Sequence, residues 1–234
     1  MPILGAATRM AVTQRIVAIV GRLGVHPMVR LPLPARRLIA YLALIGVPVT
    51  RAVASAALWP DCLEEMGRAN LRRAIWNVPT GWIVSTGDEL VLDAVTDLAE
   101  AEAAAARAID GQELKLADIK LLSSDILPGW HEEWALGPQE QFRLLRVQAL
   151  EAACRTMIAS HQLALATQAG SAALAAEPLR ESAAEVLIEA HLAQNNRYEA
   201  VRCYRSFAER LEEELGVVPQ PSLAARLGQC RVAS

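Results

Sequence analysis

Arg68-Ala-Asn-Leu-Arg-Arg-Ala-Ile-Trp-Asn77 is the stretch on which the reading of this chain turns. Wound as a helix of about 3.6 residues per turn, it puts Leu71, Ile75 and Val78 on one face with Ala74 beside them. Ala69, Arg72, Arg73, Trp76 and Asn77 fall roughly opposite. One side suits a core. The other presents guanidinium and amide groups, which read guanine and adenine edges in a DNA major groove and also hold phosphates. Plain solvation produces such a face too, so its neighbours have to decide. The next segment is Gly81-Trp-Ile-Val-Ser-Thr-Gly-Asp-Glu-Leu-Val-Leu-Asp93. It holds two short β-prone runs around Thr86-Gly87-Asp88, a hairpin signal.

A helix with a basic outer face followed at once by a hairpin is the order of a winged helix. The residues upstream supply its other helices. Ala35 to Ile45 reads as a helix that stops at Gly46, with Leu38, Leu42 and Ile45 on one face. Thr50 is an N-cap for a second helix, Arg51 to Leu58, which Trp59-Pro60-Asp61 closes. A linker with Glu64 and Glu65 leads to the third helix at 68–78, ended by Pro79. Ahead of these, Ile16–Val20 and Met28–Leu33 read as strands, with turns at Gly21, Gly24 and Pro27. Trp59 reads as a core anchor.

After Val95 the character changes. Asp97 to Ile109 is an alanine-rich helix, and Asp118 to Ser123 a short helix or turn. From Pro138 to Leu227 the pattern is helical, with breaks near Gly170, Pro178, Asn195-Asn196 and Gly216 to Pro221. An offset of 34 residues aligns Ala159 with Ala193, Ala166 with Ala200 and Ala173 with Phe207. That period is the mark of tetratricopeptide helix pairs, where small residues let helices approach closely. Tyr198 and Tyr204 then read as repeat-packing residues, and Trp130 and Trp134 as core. The fold expected is mainly α: a winged helix-turn-helix domain over 1–95 and a tetratricopeptide-like all-helical domain over 96–234.

Composition agrees with two parts. Of 234 residues 53% are hydrophobic but only 4% aromatic, so alanine and leucine dominate and favour helices. The net charge of −3 hides a split. Residues 1–95 carry ten arginines against six acidic residues; residues 96–234 carry 13 basic against 20 acidic. A basic part and an acidic part suit different partners. No apolar run reaches the roughly 18–20 residues of a membrane span. Arg9, Arg15 and Arg22 interrupt the apolar patches near the start, so no signal peptide is read. Cys62, Cys154, Cys203 and Cys230 form no CxxC pair and read as structural thiols in a reducing cytoplasm. His131-Glu132-Glu133 lacks the second histidine of a zinc-protease motif, since Ala135 stands there. Neither a nucleophile elbow nor a phosphate-binding glycine-rich loop is found, and no cofactor, metal or enzymatic activity is expected.

Longer motifs then give a resemblance. Leu127-Pro-Gly-Trp130 to Trp134, Glu140-Gln-Phe-Arg-Leu-Leu-Arg146, Glu177-Pro-Leu-Arg-Glu-Ser182 and Glu213-Glu-Leu-Gly-Val-Val-Pro-Gln-Pro221 occur in the order and spacing of one family. Ala35-Arg-Arg-Leu38, Ala57-Leu-Trp-Pro-Asp61 and Arg68 to Arg73 fit it as well. The chain resembles the antibiotic-regulatory-protein type of bacterial transcriptional regulator over about residues 28–230. In that family an OmpR-like winged helix precedes a helical bacterial transcriptional activator domain. The resemblance implies binding of double-stranded DNA at promoter repeats, recruitment of RNA polymerase, and a cytoplasmic protein that joins the nucleoid on DNA. A homodimer on DNA is compatible with it. Carried over by position, Arg68, Asn70, Arg72, Arg73 and Asn77 are the recognition-helix residues. Thr50 and Arg51 come near phosphates at the second helix's N-terminus, and Thr86 in the wing approaches the minor groove. The alternative is a protein–protein adaptor whose degenerate winged helix no longer binds DNA.

Overall fold

The computed structural model describes residues 14–229; Arg9 and Cys230 lie outside them. Two units divide the chain. One runs to Ile19 and resumes over Leu23–Asp97; the other takes Val20–Arg22 and the residues from Leu98 onward.

The first unit begins with β1 (Ile16–Ala18) and β2 (Gly24–His26), which pair antiparallel with Val17 opposite Val25. The strand expected at Met28–Leu33 does not form. Pro27, Pro32 and Pro34 withhold the backbone donors a ladder needs, Met28 is 92% exposed, and Leu33 already belongs to a helix. That helix, α1 (Leu33–Ile45), starts with Pro34 in its first turn and ends at Gly46, whose φ of 67° lets its N–H return to Leu42 O. β3 (Val49–Thr50) runs into α2 (Arg51–Leu58), where the Thr50 hydroxyl caps the helix by accepting from the Val53 N–H.

The third helix, α3 (Glu64–Trp76), starts four residues before Arg68 and ends two before the expected Val78. Glu64 and Glu65 form its first turn, where carboxylates meet the positive end of the helix dipole, rather than a linker. Gly67 sits inside the helix because α2 passes there: a Cβ on it would stand 2.6 Å from Ser55 Oγ. The hairpin follows as β4 (Ile83–Thr86) and β5 (Glu89–Leu92), with Thr86 opposite Glu89 across Gly87-Asp88. β3 pairs with β5, giving the order β3-β5-β4, and β6 (Val95–Thr96) joins β1 in parallel. Leu38, Ile39, Leu42, Leu58, Leu71 and Leu90 are wholly buried. Each contributes about 1.5–3 kcal/mol relative to an exposed side chain. They hold α3 against α1 and α2 with the hairpin beside α1. Trp59 is half-buried; the buried indole of this unit is Trp82.

The second unit is helical: α4 (Asp97–Ile109), α5 (Leu116–Leu122), α6 (Glu133–Ala159), α7 (Leu163–Ala176), α8 (Glu181–Ala193), α9 (Arg197–Leu215) and α10 (Pro221–Gln229). The 34-residue offset is visible in it. Ala159 and Ala193 each end a helix, and Ala166, Ala200, Ala173 and Phe207 are all buried in α7 and α9. Gly170 is no break. It lies within α7, where its missing side chain lets α8 approach; a Cβ would stand 3.1 Å from Leu187 Cα and 3.3 Å from Cys154 Sγ. The break falls instead at Ser160–Gln162, between α6 and α7.

The motifs of this half are braces. Gln139 Nε2 lies 3.0–3.2 Å from the carbonyl oxygens of Ile126, Leu127 and Trp130, and Arg146, 4% exposed, pairs with Asp125. Arg143 reaches Glu140 and Glu177. Buried Glu151 accepts from Arg180 Nε and Ser182 Oγ, both at 2.7 Å. So α6 fixes the turn before it and the loop between α7 and α8. Trp130 and Trp134 are half-buried rather than core, edge to face with centroids 5.9 Å apart. Tyr198 is 73% exposed, so of the two repeat tyrosines only Tyr204 packs. Among the described residues no helix is long and apolar enough to cross a membrane.

Candidate nucleic-acid interface

α3 carries the candidate surface. Gly67, Leu71, Ala74 and Val78 are buried and Ile75 half-buried, which turns Arg68, Arg72, Arg73, Trp76 and Asn77 outward as the wheel predicts. The arginines are not equivalent. Arg68 Nη2 is 2.5 Å from Glu64 Oε1, one turn earlier. Arg72 and Arg73 make no side-chain hydrogen bond or ion pair with the described residues, and both are exposed. Two guanidinium groups with unused donors project from a helix that its neighbours hold in place. Such forks fit phosphate oxygens and the guanine edge.

The other residues of the expected set divide between surface and scaffold. Asn77 is exposed, but its Nδ2 donates at 2.8 Å to the Arg73 carbonyl, which also accepts the Asn77 backbone N–H, so the amide is engaged in closing the helix end. Asn70 is half-buried on the flank facing the turn before α3, with Nδ2 4.0 Å from Cys62 Sγ; it does not join Arg72 and Arg73. Thr50 spends its hydroxyl oxygen on capping α2. Arg51 is a fastener: its N–H donates to Asp88 O at 2.9 Å and its Nη2 to Ser85 Oγ at 3.0 Å, tying α2 to the hairpin. Thr86 is exposed at the end of β4. Arg51, Arg68 and Arg72 converge with Asp88 around a cavity of about 230 Å³ between α2, α3 and the hairpin turn. With Arg68 paired to Glu64, Arg51 and Arg72 against Asp88 leave it positive.

Trp76 is absent from the expected contacts although the wheel puts it outside. It is 88% exposed, one turn beyond Arg72. An indole left in water on a helix otherwise anchored by its far face is a binding group in waiting, with a large apolar body and one N–H donor. Its position on the wheel was the only signal for it. Among the described residues no three His, Cys, Asp or Glu side chains cluster as metal ligands. Burial pushes the Cys154 thiol up to about 12, with Glu189 adding to it, so it is protonated at neutral pH.

Comparisons with known proteins bear on both units. Residues 88–229 match the family described as the bacterial transcriptional activator domain. No curated protein matches the chain. Among solved structures it is similar to EmbR of Mycobacterium tuberculosis, described as in complex with a low affinity phosphopeptide. The two share 20% identity with a TM-score of 0.66, over 93% of this chain and 65% of that one. The likeness is one of fold, and the chain spans about two thirds of the length of that protein.

Proposed function

The chain belongs to the bacterial transcriptional activator domain family of transcriptional regulators, and on that premise we propose that it binds double-stranded DNA at promoter repeats and recruits RNA polymerase. In this reading residues 1–95 are the winged-helix DNA-binding domain and 96–234 the helical activator domain, with two copies on adjacent repeats. The observation that carries it is the pair of exposed guanidinium groups of Arg72 and Arg73, without partners among the described residues, on a braced helix. Arg51 and Arg68 stand beside Arg72 around the same cavity.

The test is fluorescence anisotropy of the purified protein on its own upstream DNA, against scrambled competitor, at about 50 and 200 mM salt. The reading expects tight binding that resists competitor and weakens with salt. Binding no better than to scrambled DNA at both salts would overturn it. One observation favours a second reading, a protein adaptor with a winged helix that has lost DNA: Trp76 lies bare on the outer face, and aromatic side chains are enriched where proteins meet. A stable protein partner lost on Trp76→Ala, without retention on DNA, would select it.

A further inference from the structure

The second unit holds a cleft to which the proposed DNA-binding role of α3 gives no part. α8 packs on both α7 and α9, and between those two, over α8, a cavity of about 680 Å³ opens. Its floor is apolar: Leu187 and Phe207 are buried, and Leu174 closes the α7 side. Burial pushes the Cys203 thiol in its wall up to about 11, with Glu199 adding to it, so the thiol itself is uncharged at neutral pH.

The polar groups at the cleft are more telling. His191 Nδ1 is buried without a hydrogen-bond partner among the described residues. Buried polar atoms are nearly always satisfied, and this one is closed off from solvent, so the imidazole shapes the cleft wall without offering that nitrogen to an occupant. Ser171 and Ser206, on opposite walls, make no side-chain hydrogen bond with the described residues either. Arg202 is paired with Glu199 at 2.8 Å, whereas Arg210 has no partner among them. The lining therefore carries one uncompensated positive charge and two hydroxyls without partners among the described residues, around an apolar floor. A few convergent polar groups on an apolar cavity of several hundred Å³ is the form of a small-molecule site.

We propose that this cleft binds a small amphipathic organic anion, its apolar body on Leu187 and Phe207 and its carboxylate or equivalent at Arg210. Size selects a small molecule over a partner helix. One helical turn fills about 420 Å³, from a diameter of about 10 Å and a pitch of about 5.4 Å. The cleft would hold about one and a half turns and leave the rest outside. The proposal is independent of DNA binding and survives its failure.

The probe is 1-anilinonaphthalene-8-sulfonate, an aromatic anion that fluoresces when it leaves water, titrated into the whole chain. Its uncharged analogue N-phenyl-1-naphthylamine is titrated in parallel. The variants are Arg210→Glu and Ser206→Trp, both at exposed positions that α9 tolerates. Saturable binding of the anion is expected, about ten-fold weaker in Arg210→Glu, as for loss of a charged hydrogen bond. The uncharged probe should bind wild type and Arg210→Glu alike, and Ser206→Trp should exclude both probes. Unchanged far-UV circular dichroism and melting in each variant separate this from dye binding to a loosened core. Anion affinity within three-fold of wild type in either variant would overturn the proposal. So would the absence of saturable binding, which would leave the cleft to a protein segment.

Discussion

If the proposed function is right, replacing Arg72 and Arg73 together by glutamine flattens the salt dependence of DNA binding by an amount the structure sets. Both guanidinium groups are exposed and unpartnered, so each is free to displace a counterion from one phosphate. One contact contributes about 0.9 to the slope of log affinity against log salt. Between about 50 and 200 mM, a four-fold change, that is about 3.5-fold in affinity per contact and about twelve-fold for two. The wild-type chain should therefore lose about twelve times more affinity across that interval than the double variant does. Arg68 behaves differently because Glu64 already sits 2.5 Å from it. Arg68→Gln should change the slope by less than one contact. Glu64→Gln frees the guanidinium, removes a carboxylate from the proposed DNA-binding face, and should steepen the slope. The assay is anisotropy on the upstream DNA at five salt concentrations. A double variant with the wild-type slope would refute the reasoning, because two exposed cations on a docked helix cannot leave the counterions untouched.

Three other perturbations test the scaffold. Glu151→Ala removes the carboxylate that holds Arg180 and Ser182; since Arg180 is about one third exposed, the loss should be about 2 kcal/mol rather than the 3–5 of a fully buried pair. Urea denaturation measures it, and Glu151→Ala with Arg180→Ala should cost less than the two singles summed. Gly170→Val drives a branched side chain into Leu187 and Cys154, at a cost of about 2–3 kcal/mol against a helix-propensity gain of a few tenths; unchanged denaturation would mean that α7 and α8 do not approach so closely. Cys154, with its thiol pushed up to about 12 by burial, stays protonated through neutral pH and forms thiolate only as pH nears that value. Iodoacetamide at pH 8 should leave it unmodified in the native chain and alkylate it in urea, and native labelling read by mass spectrometry would contradict its burial.

What the sequence shows and what it hides follows the range of each signal. The Thr50 cap, the Gly87-Asp88 turn and the 34-residue offset are legible because the residues that make each feature are themselves the signal. Gly170 looks like a break, and the residues ahead of Arg68 like a linker, because what accommodates Gly67 and Gly170 inside a helix, Ser55 in one case and Leu187 in the other, comes from a different helix. Trp130 and Tyr198 mislead in the opposite sense: an aromatic ring in an apolar pattern says nothing of whether another element covers it. The candidate site inherits both limits. A helical wheel fixes directions about one axis, so Arg72, Arg73 and Trp76 are placed outward from sequence alone. Asn70 turns toward Cys62 only because of how the preceding turn enters the helix. The start of α3 matters most. Read as a linker, residues 64–67 leave Arg68 a free cation; wound as the first turn, they bring Glu64 one turn below it, where opposite charges pair. Four residues of helix boundary, the least legible quantity in a sequence, thus decide how many of the three arginines are available to a phosphate.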